Sequence, residues 1–398
     1  MWPPAHIVFF TTSVEDSNGV TRWAYNMARE FDTRDIPTSI VGVKHVHSPV
    51  RYASSPRTQT YTLTSAQAAT GWIRKIKSLA ARVLSRFNRV GGVQRFTLQD
   101  LPEEGRQQLD MLLNKWPAGT VIICTNPTTA MYVQWAERRG ARRHTLLAQH
   151  HSSFEAIRGT IQLDRLMEVA DRLDMVVALT DEDAEGFEDL GLPRVTAIPN
   201  PSPAAVPDGP TRGRADEIVM MGRLSPEKNH VAAITAWKQV AAKHPGWRLA
   251  IYGEGETEML LRSTIRSLRL EQNVILHGRT EDPIAVLSRA KATLLTSLWE
   301  GWPLAIAEAA ATGTPAITTS VSPGIRTLVR PGETGLLIQD MDPASISSAI
   351  LEFIEDPALQ QRLGRGAWSL SSHYRIDSIV SAWKSTIESA QRNRSASS

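Results

Sequence analysis

Two stretches of this sequence bring charged side chains together at loop-like spacing. The first is Gly222-Arg223-Leu224-Ser225-Pro226-Glu227-Lys228-Asn229, where a guanidinium and an ammonium follow an apolar run. Arg offers a planar fork of donors and Lys a mobile point charge. Together they suit a diphosphate and can stabilise negative charge growing on a departing phosphate. The competing reading is structural, with Lys228 opening a solvated helix and Glu227 balancing it. The second stretch, Ser297 to Glu308, carries Glu300 and Glu308. Pro303 fits the first turn of a helix, because its missing N–H would be unpaired there anyway. Glu300 then lies in the loop and Glu308 inside the helix. Amides around Gly301, Trp302 and Leu304 would face outward at the helix start, ready for phosphate or sugar oxygens. Gly301 lets backbone approach a ligand closely, and paired carboxylates can accept from vicinal hydroxyls.

Three other constellations need weighing. Gly253-Glu254-Gly255-Glu256 lacks the third glycine of a dinucleotide fingerprint and follows the second strand of its domain, which argues against a nicotinamide dehydrogenase. His150-His151 ends an apolar strand; neighbours in a strand point to opposite faces, so the pair is poorly arranged to share one metal. Either one of them faces a ligand, or local hydrogen bonds satisfy it. Asp181-Glu182-Asp183 follows Thr180 at the start of a helical pattern, where capping and the helix dipole account for it. No catalytic metal is expected.

The elements that must hold these residues recur in a simple order. Short runs rich in Val, Ile and Leu alternate with helical patterns, the mark of parallel sheets covered on both faces. In the first half the expected strands are His6 to Phe10, Thr38 to Val43, Val121 to Thr125, Thr145 to Gln149, Met175 to Leu179 and Val195 to Ile198. In the second half they are Ile218 to Met221, Arg248 to Tyr252, Val274 to His277, Ala292 to Ser297, Pro315 to Thr319 and Gly335 to Ile338. A proline-rich stretch lies between them. The expected division is residues 1–200 as a first Rossmann-like domain and 201–215 as linker, with residues 216–375 as a second such domain and 376–398 as a terminal helix and tail. The fold class is therefore α/β, two doubly wound domains facing across a cleft, with ligands beyond the carboxyl ends of the strands.

With those elements in place, the chain resembles the retaining glycosyltransferases of family four. The likeness rests on Gly-Arg-Leu-Ser-Pro-Glu-Lys-Asn followed by the Glu300 and Glu308 pair, and it spans the second domain and the domain order. It implies the GT-B architecture. It further implies that Arg223 and Lys228 bind the donor diphosphate, that Glu308 holds the nucleotide ribose and that Glu300 faces the donor sugar. Gly222, Gly253, Gly255 and the run Gly301, Trp302, Pro303, Leu304 would complete the donor site. Relatives carry a first-domain histidine that contacts the donor sugar, here assigned to His151. Ser17-Asn18-Gly19 resembles the family's glycine-bearing loop, with Asn18 and Gly19 on the acceptor side; Asn tolerates unusual backbone angles. Relatives carry Gly then Glu after the strand ending at Thr319, whereas Pro323-Gly324-Ile325-Arg326-Thr327 has no such pair. By resemblance residues 1–200 are the acceptor-side domain, residues 216–375 bind the nucleotide sugar, and the terminal helix crosses back to the first domain.

Length and composition agree with such a protein. The chain has 398 residues, 42% hydrophobic and 21% charged, with net charge +3, enough for two self-sufficient cores. One cysteine, Cys124, makes no internal disulfide, and no window reaches the roughly 18 apolar residues of a membrane span. A cytoplasmic enzyme is expected, with no cofactor beyond a UDP-linked hexosyl donor and no nucleic-acid partner. From Thr70 to Arg89 apolar residues at helical spacing alternate with Arg and Lys. Two readings stand for residues 71–89: a helix packed on the first domain, or peripheral contact with an anionic membrane face or polyanionic acceptor. The expected acceptor is a cell-envelope glycan, a lipid-linked sugar or a teichoic-type polymer. A nucleotide-sugar epimerase of the same architecture and a non-catalytic nucleotide-sugar-binding module are the alternatives.

Overall fold

Residues with branched apolar side chains fall into short strands, which sort into two wholly parallel sheets. The computed structural model describes residues 2–16, 18–46, 49–50, 52–64, 101–137, 143–203 and 213–397. The first sheet holds β1 (Ile7–Thr11), β2 (Thr38–Gly42), β3 (Gln59–Thr62), β4 (Val121–Cys124), β5 (Thr145–Gln149), β6 (Met175–Ala178) and β7 (Val195–Ala197). Its order is β3-β2-β1-β4-β5-β6-β7. The second holds β8 (Ala215–Met221), β9 (Arg248–Tyr252), β10 (Val274–Gly278), β11 (Ala290–Leu295), β12 (Ala316–Thr319) and β13 (Gly335–Ile338), ordered β10-β9-β8-β11-β12-β13.

Strands such as β1, β2, β4 and β5 are buried along their whole length, as helices on both faces require. Leu146, Val176 and Phe187 belong to the core of the first unit, and Trp237, Leu249 and Phe353 to that of the second. β3 was not expected. Its sequence, Gln-Thr-Tyr-Thr, has no apolar run, because it is an edge strand half exposed to water. β8 also begins at Ala215, ahead of the expected Ile218, where its first residues are exposed.

The chain divides into one unit of Met1–Ile198 with Val380–Ser398 and a second of Pro199–Ile379. The basic stretch from Thr70 to Arg89 and the prolines from Pro207 to Pro210 lie outside the described residues. In each sheet the winding reverses direction at one pair of neighbouring strands, β1 with β4 and β8 with β11. Loops leaving the carboxyl ends at such a switch point diverge and open a crevice, where ligands of doubly wound sheets bind.

Candidate active site

In the second unit the switch-point loops are tied together by side chains far apart in sequence. β8 ends at Met221 and the chain turns through a short 3-10 helix, Pro226–Lys228. Asn229, at φ 51°, then redirects it into the helix His230–Lys243. The loop after β11 grips this turn. Thr296 Oγ1 donates to the carbonyls of Lys228 and Asn229, each at 3.1 Å, and the Leu298 N–H donates to the Glu227 carbonyl at 2.8 Å.

Lys228 Nζ donates to Glu300 Oε1 at 2.5 Å, and Ser297 Oγ donates to the same oxygen at 2.7 Å. The two charged side chains are 23% and 11% exposed, so this pair is shielded from bulk water. Of the expected partners for Lys228, the carboxylate in contact is therefore Glu300. Burial disfavours charge on Glu227, but the Ser225 hydroxyl at 2.5 Å and the nearby Lys228 and Arg223 outweigh it and hold its carboxyl below the usual range. Arg223 is exposed and has no ion-pair partner among the described residues. An ammonium has three donors and Glu300 takes one, so Lys228 and Arg223 still offer N–H groups to an anion.

Backbone contacts set the loops at fixed distances. Gly253, at φ 147°, packs so closely that a Cβ there would lie 1.8 Å from the Gly222 carbonyl oxygen, and one on Gly255 would lie 2.2 Å from that of Leu224. Only glycine permits this. The loop after β12 does the same: a Cβ on Gly324, in the helix Pro323–Leu328, would lie 2.0 Å from the Gly301 carbonyl oxygen. The stretch that departs from the family pattern is thus a wall supporting the Glu300 loop.

The helix carrying Glu308 runs Leu304–Ala311, with Pro303 at its N-cap rather than inside its first turn. Leu304 and Ala305 N–H groups, in that first turn, have no intrahelical acceptor. From the sequence, Trp302 offers a ligand its backbone amide. Its ring is 5% exposed and packs against Tyr374 at 5.0 Å and 74°, so a ligand can meet only its backbone. The exposed indole of this loop belongs to Trp299, 54% exposed. Sequence reasoning also missed Ser297 and Thr296, whose hydroxyls carry no signal until their partners fold beside them.

The first unit has its own cavity of about 160 Å³ at the corresponding place. Thr11, Thr12, Asn18 and Val20 come from β1 and the chain after it, and Thr125 and Asn126 follow β4. His150, His151 and Ser152 follow β5, and Gln162 completes the lining. β5 ends at Gln149, so strand alternation does not govern the histidines and both line this cavity. His150 Nδ1 accepts from the Ser152 N–H at 3.2 Å. Burial, with a smaller contribution from His150, pushes His151 down to about 3, so it is a neutral imidazole at physiological pH.

Asn18 uses no unusual backbone angle. At φ −76° it is the N-cap of the helix Gly19–Asp32, and its Oδ1 accepts from the Thr21 N–H at 2.8 Å. Gly19 is that helix's first residue and is exposed. Thr180 caps its helix, and Asp183 holds the Phe154 N–H at 2.7 Å. Among the described residues no three His, Cys, Asp or Glu side chains gather as metal ligands would.

Residues 206–368 match the model of the glycosyl transferases group 1 family. That stretch is similar to a group 1 glycosyltransferase domain. The domain contains every charged group of the second-unit site, from Arg223 to Glu308. An exopolysaccharide phosphotransferase of Streptomyces coelicolor is 35% identical over 272 residues, covering 66% of this chain and 28% of that protein. The poly(glycerol-phosphate) alpha-glucosyltransferase of Bacillus subtilis is 28% identical over 217 residues, 53% of this chain and 32% of that protein. The chain thus spans less than a third of the length of either relative. Among solved structures, S. aureus TarM in complex with fondaparinux, alpha-GlcNAc-glycerol and UDP superposes with a TM-score of 0.75 at 16% identity, over 96% of this chain and 99% of that one. Anabaena Alr3699/HepE in complex with UDP and glucose gives 0.73 at 16%, over 97% and 100%. At such identities the likeness is one of fold. The group 1 domain and the sheet that precedes it have the GT-B architecture.

Proposed function

We propose that the chain is a retaining glycosyltransferase of the family-four type, moving a hexosyl unit from a UDP-sugar to a hydroxyl of a cell-envelope glycan or teichoic-type polymer. The observation that carries this reading is the shielded Lys228–Glu300 pair beside the unpaired guanidinium of Arg223, at the switch point of a group 1 domain. Arg223 and Lys228 take the diphosphate, and the helix start at Leu304 adds amides aimed at the same charge. Glu308, on that helix, takes the ribose hydroxyls, and Glu300 the donor sugar. With two cations in place, charge on the leaving group is balanced by side chains, and transfer needs no divalent metal.

The donor assignment draws on UDP in the TarM and HepE structures, and retention on the alpha-glucosyl product named for the Bacillus relative. The first-unit cavity, lined by hydroxyl, amide and neutral imidazole groups with Val20 and no cationic side chain, suits sugar hydroxyls; His151 there is taken as a contact to the donor sugar and Asn18 as a contact to the acceptor. No described helix is long and apolar enough to cross a membrane. Work at the cytoplasmic face, where sugar nucleotides are found, is part of the proposal.

The test is a panel of UDP-, GDP- and ADP-linked hexoses, each offered with polyol-phosphate polymer and neutral glycan acceptors, in the presence of EDTA. Transfer from a UDP-sugar with an axial anomeric linkage by NMR is the expected result. An equatorial linkage, an epimerised donor or silence across the panel would overturn the reading.

A further inference from the structure

His150 is oriented by a hydrogen bond, and His151 is not. The Nε2 of His151 is buried and has no hydrogen-bond partner among the described residues. What meets the ring is Trp23, at 4.7 Å between centroids and 64° between planes. Trp23 lies on the helix Gly19–Asp32, only 2% exposed, and is itself clamped. Phe9 of β1 meets it edge-on at 5.4 Å and 84°. Trp383, fully buried on the terminal helix Ile376–Ser397, meets it at 6.1 Å and 44°.

Both indole N–H groups are buried with no partner among the described residues. Packing and ring quadrupoles therefore hold the column of Trp383, Trp23 and His151 together. A close-packed wall keeps an aromatic ring in one rotamer, and removing the wall leaves a space into which the ring turns. The same helix presents its N-cap, Asn18, to the cavity that His151 lines. Trp23 thus sits where it can set the imidazole relative to the rest of that lining.

We propose that Trp23 is a positioning residue for His151 and that Trp383 backs it, so the last helix of the chain determines the angle at which the imidazole meets its ligand. This rests on the reading of His151 as a contact to the donor sugar. It adds that a residue some 230 positions away, touching no substrate, controls that contact.

The experiment is a double-mutant cycle in the full chain, with Trp23→Leu and Trp383→Leu made alone and with His151→Ala, and turnover of a UDP-sugar as readout. Each leucine variant is expected to lower kcat about tenfold with little change in donor KM, and to add less than about twofold once His151 is alanine. Trp383→Phe, which keeps a ring, should recover most of the loss. Losses that multiply would mean a merely structural role and overturn the proposal while leaving His151 in place. A silent His151→Ala would sink the assignment of His151 and the proposal with it. Should the leucine variants not fold, Trp383→Phe labelled with 15N-histidine gives a second readout. The imidazole nitrogens of His151 are expected to shift while those of His150 stay, and an unmoved His151 signal would refute the coupling.

Discussion

Lys228 and Glu300 stand 72 residues apart in sequence and 2.5 Å apart in space, one on the loop after β8 and the other on the loop after β11. A charge pair this shielded is costly to break from one side only, because the surviving ion stays partly desolvated. Lys228→Ala should therefore do two things: remove a donor from the diphosphate and leave Glu300 with Ser297 alone. The expected loss in kcat is about 100- to 1,000-fold, the range for deleting one preorganised donor. Turnover at saturating UDP-sugar, compared with UDP affinity by calorimetry, measures it; equal losses in both would place the lysine in binding alone.

Glu300→Gln keeps the shape and an acceptor oxygen but removes the charge that holds the ammonium. Donor affinity should fall less than turnover. A variant with wild-type kcat would show that the carboxylate only braces the loop.

The glycine contacts predict a stability effect confined to loop geometry. Gly253→Ala and Gly324→Ala each force a Cβ onto a carbonyl oxygen, and overpacking of this kind costs about 1–3 kcal/mol. At roughly 2–4 °C per kcal/mol for a domain of this size, Tm should drop by several degrees. Calorimetry would check this, and an unchanged Tm would mean that the loops separate at no cost.

Arg214 binds the ends of two helices. Its Nη1 donates to the carbonyl of Ala290 at 2.6 Å and to Thr314 Oγ1, and its Nη2 donates to the Thr312 carbonyl at 2.5 Å. Thr312 is the C-cap of the helix that carries Glu308. Arg214→Met leaves these acceptors without their charged donor and should cost about 3 kcal/mol in urea unfolding. Arg214→Lys should recover less than half, since one ammonium cannot reproduce a planar fork.

Acid should weaken the fold through buried histidines. Burial pushes His6 and His230 down to about 4, with Lys228 adding to the effect at His230. Unfolded, both bind protons near pH 6.5, so between about 6.5 and 4 the unfolded chain holds more protons than the native one. Their neutral state is stabilising in full above pH 6.5, and that contribution is lost as pH falls. Each such histidine contributes a slope of about 1.4 kcal/mol per pH unit in this window. Urea midpoints at pH 7, 6 and 5 should fall in order, and the His230→Leu variant should show a shallower trend.

Much of the architecture was open to reading before any coordinates. β5, β9 and β13 run between the residues expected of them, because each carries a short apolar run, such as Leu146 to Ala148 or Leu249 to Ile251, and such runs stand out. β3 escaped for the opposite reason: half exposed at an edge, it needs no such run. The composition of the group 1 loops was equally visible. Their pairings were not, since Lys228 has Glu227 beside it in sequence and Glu300 beside it in space. Trp299 and Trp302 look alike on paper, and only tertiary packing, the contact with Tyr374 included, decides which ring is buried.

The order of residue types alone determined two parallel sheets, the loops that follow their strands and the cations and carboxylates those loops carry, since periodicity and local chemistry act over a few residues. The tertiary structure decided which carboxylate Lys228 meets, that both histidines share one cavity, and that Trp383 stands behind Trp23. Those outcomes depend on close packing between segments tens to hundreds of residues apart, where a contact is made or lost over about an ångström. No local pattern in the chain encodes a distance that small.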